Sequence, residues 1–176
     1  MCEQSPVMMT SNRRKLVYQA ILISLAILLV DQLSKFLVYR FIPLMDSVAY
    51  WYPYGGIGIF KNLGGIEFSI NHMTNKGAAW GMFGNYQLPL VILRIGLIAG
   101  LCIYLFCFNR DSSWCIPLIL VIAGAVGNVF DFFLYGHVVD MLHFVFWGYD
   151  FPIFNVADSA ISIGIGLLFV ISWFKA

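Results

Sequence analysis

Charge is what this chain has least of. Only 11% of its 176 residues are Asp, Glu, Lys or Arg, and ten basic side chains nearly cancel nine acidic ones. A soluble globular domain carries about a quarter of its residues charged, so that class is excluded, and the near-neutral balance leaves no electrostatic footprint for a nucleic-acid partner. Signatures of metal and nucleophile chemistry are missing as well. Cys2, Cys102, Cys107 and Cys115 form no CxxC and have no histidine cluster beside them, so they read as small hydrophobes. No HExxH occurs, and on a helix His137, Asp140 and His143 would spread around the axis instead of converging, so no metal is expected. Ser159 stands in no GxSxG. Repeats, low-complexity tracts and any sign of a second domain are also absent.

What is present is apolar. Hydrophobic residues make up 61% and aromatics 17% of the chain, which marks an integral membrane protein. Four runs, residues 16–42, 88–108, 115–135 and 156–174, approach or exceed the roughly 20 residues that cross about 30 Å of hydrocarbon. The first follows Arg13, Arg14 and Lys15, but it is too long for a cleaved leader and lacks a small-x-small exit. Cys2 has no apolar stretch before it and reads as tail. An even number of spans puts both termini on one side. The basic residues Arg13, Arg14, Lys15, Arg110 and Lys175 place that side in the cytoplasm. The outer segments are then 43–87 and 136–154. The first contains glycine-bounded stretches with partial alternation at Ile66, Phe68 and Ile70, which predicts a small β structure on the outer leaflet. The expected fold is an all-α membrane protein, one domain over 1–176. It has four transmembrane helices, both termini cytoplasmic, and a small extracytoplasmic β subdomain between helices 1 and 2.

Ionisable groups inside such spans cost about 2.5–3.5 kcal/mol each near the helix centre, so the few present need reasons. Asp31 and Lys35 are four apart, on one helical face, and are expected to pair. Arg94 either snorkels or partners an acid. Asp131 braces the end of its helix or a loop. Asp140 and Asp158 each fall at a predicted helix boundary at the same depth. Two carboxylates brought together in a partly dry site share one proton, which makes one an acid and the other a base. Such a pair can activate water and protonate a leaving amine. Asp158 near a helix start is also explained as a cap or dipole partner, and spacing alone leaves both readings open.

The residue order narrows the choice. DQLSK (31–35), NKGAAWGMF (75–83), GAVGNVFD (124–131 within this stretch), GHVVDML (136–142) and FNVADSAI (154–161) together resemble the lipoprotein signal peptidase family, signal peptidase II, from the first span to the last. The resemblance implies a bacterial aspartyl protease of the cytoplasmic (inner) membrane, with its active site near the outer face. Its substrates would be prolipoproteins, cut before a diacylglyceryl-modified cysteine. It implies Asp140 and Asp158 as the catalytic pair, with Asn75, Asn128, Asn155 and Asp131 supporting dyad or substrate, Asp31 and Lys35 as structural polar residues, and an outer β cradle. No cofactor, a monomeric protein and surrounding membrane lipid are expected. Two positions depart from the pattern. Phe132 stands where an arginine is expected to hold substrate main chain, leaving that contact missing or supplied by another group such as His137 or Lys76, and Ala123 replaces the first glycine of a pair. Phe144, Phe146, Trp147 and Phe151 form either a lid or an interfacial aromatic belt. A transporter or channel subunit and an inactive paralogue remain as alternatives.

Overall fold

A computed structural model of the chain describes residues 6–45, 51–77 and 86–175. In chain order these form α1 (Pro6–Phe41), β1 (Ile57–Leu63), β2 (Ile66–Asn75), α2 (Gln87–Ile103, continued by a π turn over Tyr104–Phe108), α3 (Cys115–Tyr135), β3 (Val138–Phe146), β4 (Tyr149–Asp150) and α4 (Val156–Trp173). Cys2 and residues 78–83 of the NKGAAWGMF motif lie outside the described residues.

All four helices are long and apolar enough to cross a membrane. Exposure is inverted relative to a water-soluble bundle: Leu22, Leu29, Ile92, Phe133 and Phe169 face outward, while Asp31, Lys35, Asn128 and Asp131 are buried. In hydrocarbon an apolar exterior costs nothing, and polar side chains must find partners inside. α1 starts at Pro6, well before the apolar run itself. Proline suits a first helical position because its missing N–H has no partner there anyway, and no glycine or further proline interrupts the residues that follow.

Small residues set how closely α3 and α4 approach. A methyl group on Gly164 would stand 2.7 Å from the Pro117 carbonyl oxygen, and one on Gly124 would collide with the carbonyl of Ala157. Backbone-to-backbone approach of this kind substitutes for the hydrophobic effect, which does not operate between helices in lipid. Gly164→Leu is therefore expected to force the helices apart at a cost of about 1–3 kcal/mol. Thermal unfolding in detergent checks this, and an unchanged melting temperature would show that the contact carries no weight.

The sheet is antiparallel in the order β1-β2-β3-β4. It is not confined to residues 43–87, because its third and fourth strands come from the second outer segment. VVDMLHFVF is nearly continuous in apolar residues because the strand is covered on both faces. Val139 and Met141 pack on Val38 of α1 and on Ile42 just beyond its end, which holds the sheet against the helices. On the other face Phe68 stacks on Phe144 at 4.3 Å, and Phe144 on Phe146 at 5.7 Å. Asp140 thus lies within a strand and not at a helix boundary, which corrects the helical reading of residues 137–143. Strand alternation puts Asp140 and His143 on opposite faces. His143 is buried between Asn71 and Asp150, with Nε2 2.8 Å from the Asp150 carboxylate. Among the described residues no three His, Cys, Asp or Glu side chains gather as a metal-holding group.

Candidate active site

Three elements deliver the two aspartates. β2 pairs with β3 so that Asn75 opposes Val138 and Met73 opposes Asp140. Asn75 is therefore the diagonal neighbour of Asp140 on one face, and its amide donates to Asp140 Oδ2 at 3.2 Å. Further along β3, Leu142 exchanges backbone hydrogen bonds with Phe154, at 2.7 and 3.2 Å. That pairing returns the chain to the strand just before α4 begins.

α4 opens with a capping box. The Asn155 side chain accepts from the backbone N–H of Asp158 at 2.8 Å, and the Asp158 side chain accepts from the backbone N–H of Asn155 at 3.3 Å. Two N–H groups that a helix start leaves without partners are satisfied in this way. The cap reading of Asp158 is correct, and it does not compete with a second role. The Asn155 amide group also donates to Asp140 Oδ1 at 2.7 Å and to the Asn128 side-chain oxygen at 3.2 Å. Asn155 therefore touches both aspartates. Asn128 of α3 completes the set: its oxygen accepts from Lys35 and Asn155, which turns its amide nitrogen toward Asp158 Oδ1, 2.8 Å away.

Behind these lies a buried charge cluster. Lys35, Asp31, Asp131 and Asn155 are wholly inaccessible. The Lys35 ammonium is 2.8 Å from Asp31 Oδ2 and 2.8 Å from Asp131 Oδ2, so the expected Asp31–Lys35 pair forms and recruits a third member. Two acids on one lysine leave negative charge to be matched by dipoles. The backbone N–H of Ala157, in the first turn of α4, donates to Asp31 at 2.8 Å. Asp131 accepts from Gln32 at 2.8 Å and from the backbone N–H of Val139 at 3.2 Å. Asp131 thus braces the strand residue next to Asp140 instead of capping its own helix.

Asp140 and Asp158 line a cleft of about 540 Å³. Apolar walls from Val138, Phe151, Phe154, Ile161 and Ile163 lower its dielectric. Burial, followed by the charge of Asp158, pushes the Asp140 pKa up to about 7, while the hydrogen bonds from Asn75 and Asn155 pull the other way. A carboxylic acid that still holds its proton near neutrality, beside a second carboxyl group, can donate to a carbonyl oxygen while its neighbour takes a proton from water.

Other expectations fare differently. Of the four aromatics read as a lid or belt, only Phe151 lines the cleft; Phe144 and Phe146 stack behind it on the sheet, and Trp147 covers Gly65 at the strand turn. His137 and Lys76 border a small neighbouring space with Phe132, not the main cleft. Arg94 lines both, and its guanidinium donates to the Gly77 carbonyl at 2.8 Å, with no carboxylate partner among the described residues. Among the described residues its partner is a backbone carbonyl and not an acid. The signal available in sequence was its depth in the span, which demanded a partner without naming one.

A family model described as signal peptidase (SPase) II matches residues 23–174. The chain belongs to the signal peptidase II family. Among relatives named lipoprotein signal peptidase, that of Anoxybacillus flavithermus is 33% identical over 153 residues, 86% of this chain and 83% of its own length. That of Chlamydia pneumoniae is 47% identical over 107 residues, 60% of this chain and just under two thirds, 64%, of its own. A solved bacterial membrane enzyme, determined by the in meso method at 2.3 Å resolution, superposes with a TM-score of 0.76 at 28% identity, covering 90% of this chain and 89% of its own. Membership makes the chain a peptidase and sets aside the transporter or channel reading.

Proposed function

We propose that this signal peptidase II family member is a lipoprotein signal peptidase in which Asp140 and Asp158 hydrolyse the bond before a diacylglyceryl-modified cysteine of a prolipoprotein. The observation that carries the reading is that Asn155 contacts both carboxyl groups, its side-chain amide donating to Asp140 and its backbone N–H to Asp158, where the two acids line an apolar cleft. Asp140, the acid that keeps its proton up to about pH 7, donates to the scissile carbonyl oxygen. Asp158 takes a proton from the water whose oxygen attacks the carbonyl carbon. The tetrahedral diol then collapses: its C–N bond breaks, the proton held by Asp158 passes to the cysteine amine, and Asp140 recovers its own. Asn75 and Asn128 keep the carboxyl groups aimed throughout.

A signal peptide and the acyl chains of a lipid-modified cysteine both belong in hydrocarbon, so the scissile bond must be met at the membrane edge. Lys175, at the far end of α4, hydrogen-bonds Asp111 and Ser113 of the α2–α3 turn. That basic end, with Arg14 and Arg110, supports a cytoplasmic orientation for both termini and an outer-face position for the cleft. The protein then resides in the inner membrane, and we infer that it acts as a monomer without a cofactor.

Incubating the purified protein with a lipid-modified prolipoprotein and following substrate mass tests the reading; no loss of signal peptide mass would refute it. The pH profile adds a second check. Above about pH 7 Asp140 loses the proton that the reaction needs, so turnover should fall on the alkaline side, by about tenfold per unit in the limit. A rate that stays flat to pH 9 would remove Asp140 as the acid.

A further inference from the structure

An arginine two turns inside an apolar helix, facing a reaction cleft and with no carboxylate to neutralise it among the described residues, needs a reason of its own. Arg94 is the eighth residue of α2 (Gln87–Ile103) and is half-buried. Its guanidinium reaches across to the carbonyl of Gly77, at 2.8 Å. Gly77 in turn donates its N–H to the Asn75 side-chain oxygen at 3.0 Å, closing a turn between a side chain and its own backbone two residues on. With that oxygen engaged, the Asn75 nitrogen is the end left for Asp140, and it lies 3.2 Å from Oδ2. A continuous chain therefore runs from a cation on α2, through the end of β2, to a carboxyl group on β3.

We propose that Arg94 is a positioning residue for Asp140: by pinning the Gly77 carbonyl it fixes the turn that aims the Asn75 amide at the carboxyl group. The inference rests on the catalytic reading of Asp140. Arginine suits the task because its planar fork is pre-organised and it keeps its charge at every working pH. Gly77, which it holds, lies two residues beyond Asn75, the last residue of β2 paired with β3, so strand pairing does not fix it.

The charged groups facing Asp140 are Asp158 from α4 and Lys35 from α1, the latter already engaged by Asp31 and Asp131. Asn75 and Asn155 are its neutral donors, α3 presents the neutral Asn128, and α2 contributes only Arg94 to the cleft. A donor aimed at a carboxylate favours the ionised form, so losing the Asn75 bond lets Asp140 hold its proton to higher pH.

The test compares wild type, Arg94→Met, Arg94→Lys, Asn75→Ala and the Arg94→Met/Asn75→Ala double variant by pH–rate profile. The protonated-carboxyl infrared band that Asp140→Asn removes is titrated in parallel without substrate. Arg94→Met is expected to lower kcat by about tenfold or more with KM little changed, and to move both the alkaline limb and the band titration upward in pH. Asn75→Ala should do the same, the double variant no more than either, and Arg94→Lys should recover part of the loss. A raised KM with an unmoved titration would make Arg94 a direct substrate contact and overturn the proposal, as would shifts that add in the double variant. A lower melting temperature with an unmoved titration would reduce Arg94 to a structural role. If Arg94→Met does not fold, Arg94→Gln carries the same comparison. Because the infrared titration needs no turnover, a failure of the catalytic reading, seen as an active Asp140→Asn protein, is distinguishable from a failure of the Arg94 chain.

Discussion

Asp140→Asn should abolish cleavage of a diacylglyceryl-modified prolipoprotein, lowering turnover by about 10³-fold or more, and Asp158→Asn should do the same. An amide has nearly the shape of a carboxyl group and still offers one oxygen, enough for one of the two donors that each aspartate accepts from. What it loses is the ability to give up or take a proton. Both variants are therefore expected to insert and fold. For Asp140 the stability effect has a sign. The folded protein keeps a proton on this group up to about pH 7, whereas the unfolded chain releases it near the ordinary carboxylate value. The folded state binds more protons across that window, so wild-type stability falls as pH rises through it. Asp140→Asn removes this loss, and its melting temperature at pH 8 should equal or exceed that of wild type. Mass analysis of the substrate and thermal unfolding at pH 5 and pH 8 report on the two claims. Full turnover in either variant would take that residue out of the chemistry.

The largest stability loss is expected from Lys35→Met. The lysine is inaccessible and sits between two inaccessible acids. Removing it leaves Asp31 and Asp131 facing each other across an apolar interior with only dipoles to answer them. Breaking a buried pair by deleting one partner costs about 3–5 kcal/mol, far more than the same pair contributes over an apolar replacement. The damage should also reach the site, because Lys35 fixes the Asn128 oxygen and Asp131 holds the Val139 N–H beside Asp140. Replacing Asp31, Asp131 and Lys35 together by uncharged residues should recover much of the stability without recovering full activity. A Lys35→Met protein that melts within a degree or two of wild type would show that the cluster is not the anchor described here.

Much of this was legible in the chain. Apolar runs near the length of a bilayer core declare four membrane-crossing helices, and the spacing of Asp31 and Lys35 declares their pairing. The strands of residues 57–75 announced themselves through glycine boundaries and alternating Ile and Phe. β3 did not, because a strand covered on both faces loses alternation and its apolar run reads equally as helix. The errors about Asp140 as a helix-end residue and about the geometry of His137 and His143 share this cause. Asp131 was read as a local brace because its partner lies 96 positions earlier, on α1, and nothing in local pattern encodes such distance. The task of Asn155 was half visible: an Asn followed three residues later by an acid suggests a cap. Its contact with Asp140 depends on the return of Phe154 to β3, a tertiary event. Arg94 was conspicuous by depth alone, and its acceptor is a backbone carbonyl that no side-chain pattern reveals.

The capping box that opens α4 has a geometric consequence. Its third helical residue is Asp158, so on the proposed catalytic reading the start of the helix and the plane of cutting are one landmark. The 18 residues of α4 measure about 27 Å end to end, slightly less than a typical hydrocarbon core. Adding a residue to the helix just after Asp158 would turn the acid about 100° relative to the rest of α4. On that reading the helix is a gauge: the depth at which a peptide is severed is set by where one turn of backbone begins.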